Sequence, residues 1–155
     1  MNQSEKARAT IGLDLGTTNS CVTFTNALGA SIVAESVGVF ISGDSEILTT
    51  AGDITAGSAG FVVGGDATTL QNSGNITVTA TNARAISVAG SATTLDNSGT
   101  ITSAGHGIMV AGDVGSFTNS GTITTTGGEN TAAVRVLGKV TGSCLLYTSP
   151  SPRDS

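Results

Sequence analysis

The side chains able to do chemistry are few and widely spaced. Asp44, Asp66 and Asp113 each follow the glycine that ends an apolar phrase, and Ser91 and Lys139 stand at the matching points of two other copies. Carboxylates brought together on one face would serve acid–base work on glycosidic bonds, or hold a cation weakly. Asp and Ser after Gly are also turn formers that bond their own backbone, and that is the expected role here. Arg84 and His106 occupy equivalent points of neighbouring copies with no carboxylate beside them in sequence, so they are expected on a solvated surface. Cys21 has no His or second Cys nearby, which argues for neither a nucleophile nor a metal site. No catalytic, metal-binding or cofactor-binding group is expected from these residues.

Composition narrows the partners. The 155 residues carry six Lys and Arg against eleven Asp and Glu, for a net charge of −5. The six cations are scattered, whereas phosphate backbones need them clustered, so nucleic acid is not an expected partner. No apolar run approaches the roughly 20 residues that span a bilayer, so membrane insertion is not expected either. Met1 to Thr10 has charges but no apolar stretch of signal-peptide type. Gly accounts for 22 residues and aromatics for 3%. Gly, Thr, Ser, Asn and Val all rank low in helix propensity, which excludes a helical bundle.

A repeat supplies the elements that must position these side chains. Asn-Ser-Gly-x-Ile-Thr occurs at 72–77, 97–102 and 119–124, with a degenerate copy at 50–55. Before each lies apolar-x-apolar-x-Gly, ending at Gly43, Gly65, Gly90, Gly112 and Gly138, in steps of 22, 25, 22 and 26 residues. Val39, Phe61, Ile86, Ile108 and Val134 form one apolar column; Ile41, Val63, Val88, Val110 and Val136 form a second. The residue between them, Phe40, Val62, Ser87, Met109 or Arg135, tolerates charge. This is strand alternation with one buried face. Leu48, Leu70, Leu95 and Phe117 give a third column, and Ile54, Ile76, Ile101 and Ile123 a fourth. The extra residues of the longer copies, Thr81-Asn82 and Gly128-Glu129-Asn130, are small or polar and suit corner loops.

So short a repeat cannot close its own core, but stacked copies can. The expected fold is all-β: a single-stranded parallel β-helix, right-handed by the general chirality of parallel crossovers. It has four to five coils of 22–26 residues, about 20–25 Å tall. Asn72, Asn97 and Asn119 then fall into one column with Thr50 at its end, an asparagine ladder with a structural role. Gly52, Gly74, Gly99 and Gly121 follow two residues later, where a positive φ at a sharp corner is the expected reason for glycine.

Three resemblances refine this reading. Thr93 to Thr102 (TTLDNSGTIT) and Phe117 to Thr124 (FTNSGTIT) resemble the repeats of bacterial autotransporter and adhesin passenger domains. The likeness covers about residues 36 to 142 and extends toward Phe24, because Phe24-Thr-Asn26 sits one repeat before Leu48-Thr-Thr50. It implies an exported, surface-displayed protein with host-surface or carbohydrate ligands. Ile11 to Val22 (IGLDLGTTNSCV) resembles the first phosphate motif of the Hsp70 chaperone ATPases. That likeness would place Asp14 near a Mg²⁺ shell and Gly16, Thr17 and Thr18 on ATP phosphates. Leu13 departs from the usual Ile or Val, and the family's second phosphate motif, adenosine motif and catalytic lysine segment are missing. An irregular early coil and a misassembled junction are the alternatives for this segment. Cys144 to Arg153 with Asp154 (CLLYTSPSPRD) resembles one reading frame of the transposase-end adapter of sequencing libraries. The segment from Cys144 holds both prolines and the only Tyr of the chain.

The expected organisation is a leader or junction over 1–22 that could cap the stack, a β-helix over 23–142 and a disordered tail over 143–155. The expected role is a structural or adhesive fragment of a secreted or cell-surface passenger, not an enzyme, with self-association through the open ends of the stack. The alternatives are a carbohydrate-active β-helix without its catalytic coils and an Hsp70-like nucleotide binder. The last carries its own test: ATP binding, measured by isothermal titration, that disappears in Asp14→Ala. No heat of binding to the intact chain sinks it.

Overall fold

The computed structural model describes residues 11–13 and 22–146. Among them there is no helix, and seventeen strands wind as a parallel β-solenoid. The first coil is β1 (Ile11–Leu13), β2 (Thr23–Asn26) and β3 (Ser31–Ala34). The second is β4 (Val37–Ile41), β5 (Ser45–Thr50) and β6 (Asp53–Ala56). The third is β7 (Ala59–Val63), β8 (Ala67–Asn72) and β9 (Asn75–Val78). The fourth is β10 (Arg84–Val88), β11 (Ala92–Asn97) and β12 (Thr100–Ser103). The fifth is β13 (His106–Val110), β14 (Val114–Asn119) and β15 (Thr122–Thr125). β16 (Val134–Val136) and β17 (Cys144–Leu146) begin a sixth.

Every third strand joins the same sheet, giving three walls of a prism. Sheet A is β1-β4-β7-β10-β13-β16, sheet B is β2-β5-β8-β11-β14-β17, and sheet C is β3-β6-β9-β12-β15. The register is the column pattern of the repeat. Val39 pairs Phe61, Phe61 pairs Ile86, Ile86 pairs Ile108 and Ile108 pairs Val134. Ile54, Ile76, Ile101 and Ile123 stack in the same way in sheet C, and Phe24 begins the column of Leu48, Leu70, Leu95 and Phe117.

The core fills because large and small columns face each other. Ile54, Ile76 and Ile101 are fully buried. Opposite them in sheet A runs a column of small residues that the repeat phrases did not single out: Gly38, Gly60, Ala85 and Gly107. A Cβ at Gly38 would collide with Ile54 Cγ2, one at Gly60 with Ile76 Cγ2 and one at Gly107 with Ile123 Cγ2. At the start of the stack, Phe24 and Phe61 fill the interior edge-to-face, with centroids 5.7 Å apart. Sheet B bends between its first and second buried columns, so Glu46 and Ile47 both face outward between Ser45 and Leu48.

The glycines at the B-to-C corner serve a different purpose from the expected one. Among the described residues, positive φ occurs at Gly29 and Asn82, not at Gly52, Gly74, Gly99 or Gly121. These glycines are needed for close approach. A Cβ at Gly74 would enter the carbonyl oxygen of Gly52, one at Gly99 that of Gly74, and one at Gly121 that of Gly99. A glycine column lets consecutive coils touch backbone to backbone there.

The ladder also runs past both expected boundaries. In the leader, Ile11 pairs Val39 and Leu13 pairs Ile41, and Val22 is part of the buried core. In the tail, Cys144, Leu145 and Leu146 lie in register on Phe117, Thr118 and Asn119, as an exposed strand.

Two substitutions probe the packing. Ile76→Ala deletes a fully buried rung and should cost about 2–5 kcal/mol. Gly99→Ala should cost about 1–3 kcal/mol by forcing two coils apart. Equilibrium urea unfolding followed by circular dichroism measures both. A negligible loss in each would contradict the packing described.

Candidate functional site

The coil spacing sets what each polar column does. At the A-to-B corner, Asp66 N–H donates to Asp44 Oδ1 at 2.9 Å, and Ser91 N–H donates to Asp66 Oδ1 at 2.7 Å. Asp113 N–H donates to Ser91 Oγ at 3.1 Å, and Lys139 N–H donates to Asp113 Oδ1 at 2.8 Å. These side chains therefore bond the backbone of the next coil, not their own turn as expected. The glycine before each recipient is explained by the same geometry. A Cβ at Gly65, Gly90 or Gly138 would occupy the place of the accepting carboxylate oxygen. One oxygen of each carboxylate is thus committed to holding coils together. Among the described residues, no group of three or more His, Cys, Asp or Glu is placed to hold a metal.

The asparagine column forms a ladder with a direction. Asn72 Nδ2 donates to Asn97 Oδ1 at 2.7 Å, and Asn97 Nδ2 donates to Asn119 Oδ1 at 2.6 Å. The same Nδ2 groups of Asn97 and Asn119 also reach the carbonyls of Gly99 and Gly121. Asn26 joins the column one coil earlier, donating to Thr50 Oγ1 at 3.1 Å and to the Asp53 carbonyl. Its membership follows from the alignment of Phe24-Thr-Asn26 with Leu48-Thr-Thr50.

Thr50 interrupts the chain of donors. Its single hydroxyl proton goes to the Gly52 carbonyl at 3.2 Å, so Thr50 has none left for the next rung. Asn72 Oδ1 is accordingly buried without a hydrogen-bond partner. An unsatisfied buried acceptor costs about 1–3 kcal/mol.

Sheet A carries the remaining chemistry on its outer face. Arg84 and His106 are register partners, as their sequence positions imply. They do not share a role. His106 Nδ1 accepts the Ala132 N–H at 3.1 Å and so ties down the loop that holds the second insertion. Arg84 instead lines a shallow depression of about 290 Å³ with Ser58, Ala59, Val62, Asn82 and Ser87. The first insertion makes one wall of it. Ala83 N–H closes a turn onto the Ala80 carbonyl at 3.0 Å, and Asn82 sits at φ 62°, a conformation that Asn tolerates better than most residues.

Asp14, Gly16, Thr17, Thr18 and Cys21 lie outside the described residues. Cys144 is an exposed free thiol. No protein-family model, curated protein or solved structure matches the chain. Fold and site together define a parallel β-solenoid whose polar columns are chiefly spent on joining one coil to the next.

Thr50→Asn should complete the ladder by giving Asn72 Oδ1 a donor, raising stability by about 1 kcal/mol. Asn97→Ala should lower it by about 2–4 kcal/mol, since it strands the Asn72 amide and the Asn119 carbonyl together. Thermal melts of the pair test the assignment, and a Thr50→Asn variant less stable than the parent contradicts it.

Proposed function

We propose that this chain is part of a secreted or surface-displayed passenger protein and acts there as a stiff, repeating spacer with an adhesive face. One observation carries the reading. The Asp44, Asp66, Ser91 and Asp113 side chains, and the asparagines of the ladder, bond from coil to coil. Each coil presents the same inward columns to the next, so the architecture extends by adding copies. In a solenoid each unit contacts only its neighbours, and length grows without a new core. The likeness of Thr93 to Thr102 and Phe117 to Thr124 to adhesin passenger repeats supports the same placement. Outside the core, the three sheets offer surfaces on which outward-facing residues vary, as Phe40, Val62, Ser87, Met109 and Arg135 do within one column. Such variation suits recognition of partners from outside while the interior stays constant.

Antibodies raised against residues 37–136 test the placement. They should label intact cells that express the native gene, and brief protease treatment of those cells should remove the label. Labelling that requires permeabilised cells overturns it.

A further inference from the structure

We propose that the depression over β7 and β10 is a binding site for a carboxylated sugar, one acidic unit of an anionic saccharide. This goes beyond a spacer role and does not depend on where the protein is displayed.

Within the described strands, acids and bases are unevenly divided among the sheets. The chain has a net charge of −5, yet the ionisable side chains of the described sheet A strands are Arg84, His106 and Arg135, with no Asp or Glu among them. Described acids lie in the strands of sheets B and C, as Glu46, Asp53 and Asp96 do, or at the corners that border sheet A, as Glu35, Asp44, Asp66 and Asp113 do. The strands of sheet A thus offer an anion basic groups, with the acids confined to their rim.

Within that wall the depression has three kinds of surface. The Arg84 guanidinium offers a planar fork of donors that fits a carboxylate in two parallel hydrogen bonds. Ser58, Ser87 and Asn82 each carry a group that donates and accepts, as ring hydroxyls require. Ala59 and Val62 provide an apolar floor for the C–H face of a ring. A volume of about 290 Å³ lies at the small end of ligand sites, the scale of one sugar unit and too small for a helix.

The neighbouring rung supplies a continuation. Phe40 pairs Val62 in register and is 45% exposed, so an aromatic face flanks the depression one coil away. Asn82 contributes a second indication. It sits in an insertion that the 22-residue coils lack, so this wall of the depression is particular to one coil and is not repeated along the stack.

The experiment is a calorimetric and NMR titration of the full chain with a short oligomannuronate. A neutral oligomannose of matched length and an oligoglutamate peptide serve as comparisons. Binding of the oligomannuronate is expected, with Arg84→Gln weakening it about tenfold or more. Arg135→Gln, a cation outside the depression, should leave it within about twofold. Circular dichroism of each variant should match the parent, because both side chains lie outside the core. The proposal is overturned by no binding, by equal losses in Arg84→Gln and Arg135→Gln, or by a preference for the neutral sugar. Equal affinity for oligoglutamate also overturns it, since that would mark a surface attracting any polyanion.

Discussion

In-register parallel stacking places each side chain directly on its counterpart one coil away, at a spacing of about 4.8 Å. The whole structure follows from that constraint. A residue in a column must tolerate its own kind above and below. Branched aliphatics meet this condition by packing, as Ile54, Ile76 and Ile101 do at full burial. Asparagine meets it by donating to the next amide, as Asn72 does to Asn97. Glycine meets it by removing the side chain altogether, as Gly74 and Gly99 do where carbonyls come close. A carboxylate meets it at the A-to-B corner, where its oxygen turns to the backbone N–H of the following coil.

These solutions complement each other across the interior. The isoleucines of sheet C are accommodated because sheet A presents glycine and alanine at the facing positions. The corner carboxylates are accommodated because the following coil has glycine where a Cβ would block them. The isoleucine column thus depends on a small-residue column of its own coil, and the carboxylate column on one in the next coil. A substitution in either affects both, which links residues about 22 positions apart more closely than many chain neighbours.

Much of this was legible in the sequence because a column repeats its chemistry. The four apolar columns, the asparagine column and the corner placement of the insertions all follow from aligning the copies. What was not legible is what a residue meets one coil away. Glycine at the B-to-C corner reads as a backbone-conformation requirement, whereas the reason is a neighbouring carbonyl. Asp after glycine reads as a self-contained turn, whereas its oxygen is used by the next coil. The Gly38 and Gly60 column escaped notice because small residues carry no pattern of their own until the facing isoleucines are placed. The depression around Arg84 depends on an insertion packing beside a sheet, and no local spacing encodes that.

Both insertions fall at the same edge of the prism, between sheets C and A: Thr81-Asn82 before β10 and Gly128-Glu129-Asn130 before β16. The other two corners are locked by the carboxylate column and the glycine column. From the second coil to the fifth the molecule therefore has one permissive seam and two rigid ones, whereas the first coil, at the end of the stack, also holds two extra residues at its B-to-C corner, between Asn26 and Ser31. Loop lengthening costs little closure entropy, so the seam is where new sequence enters without disturbing the register. Diversification along such a line would alter the outline of sheet A, coil by coil, while the interior is inherited unchanged.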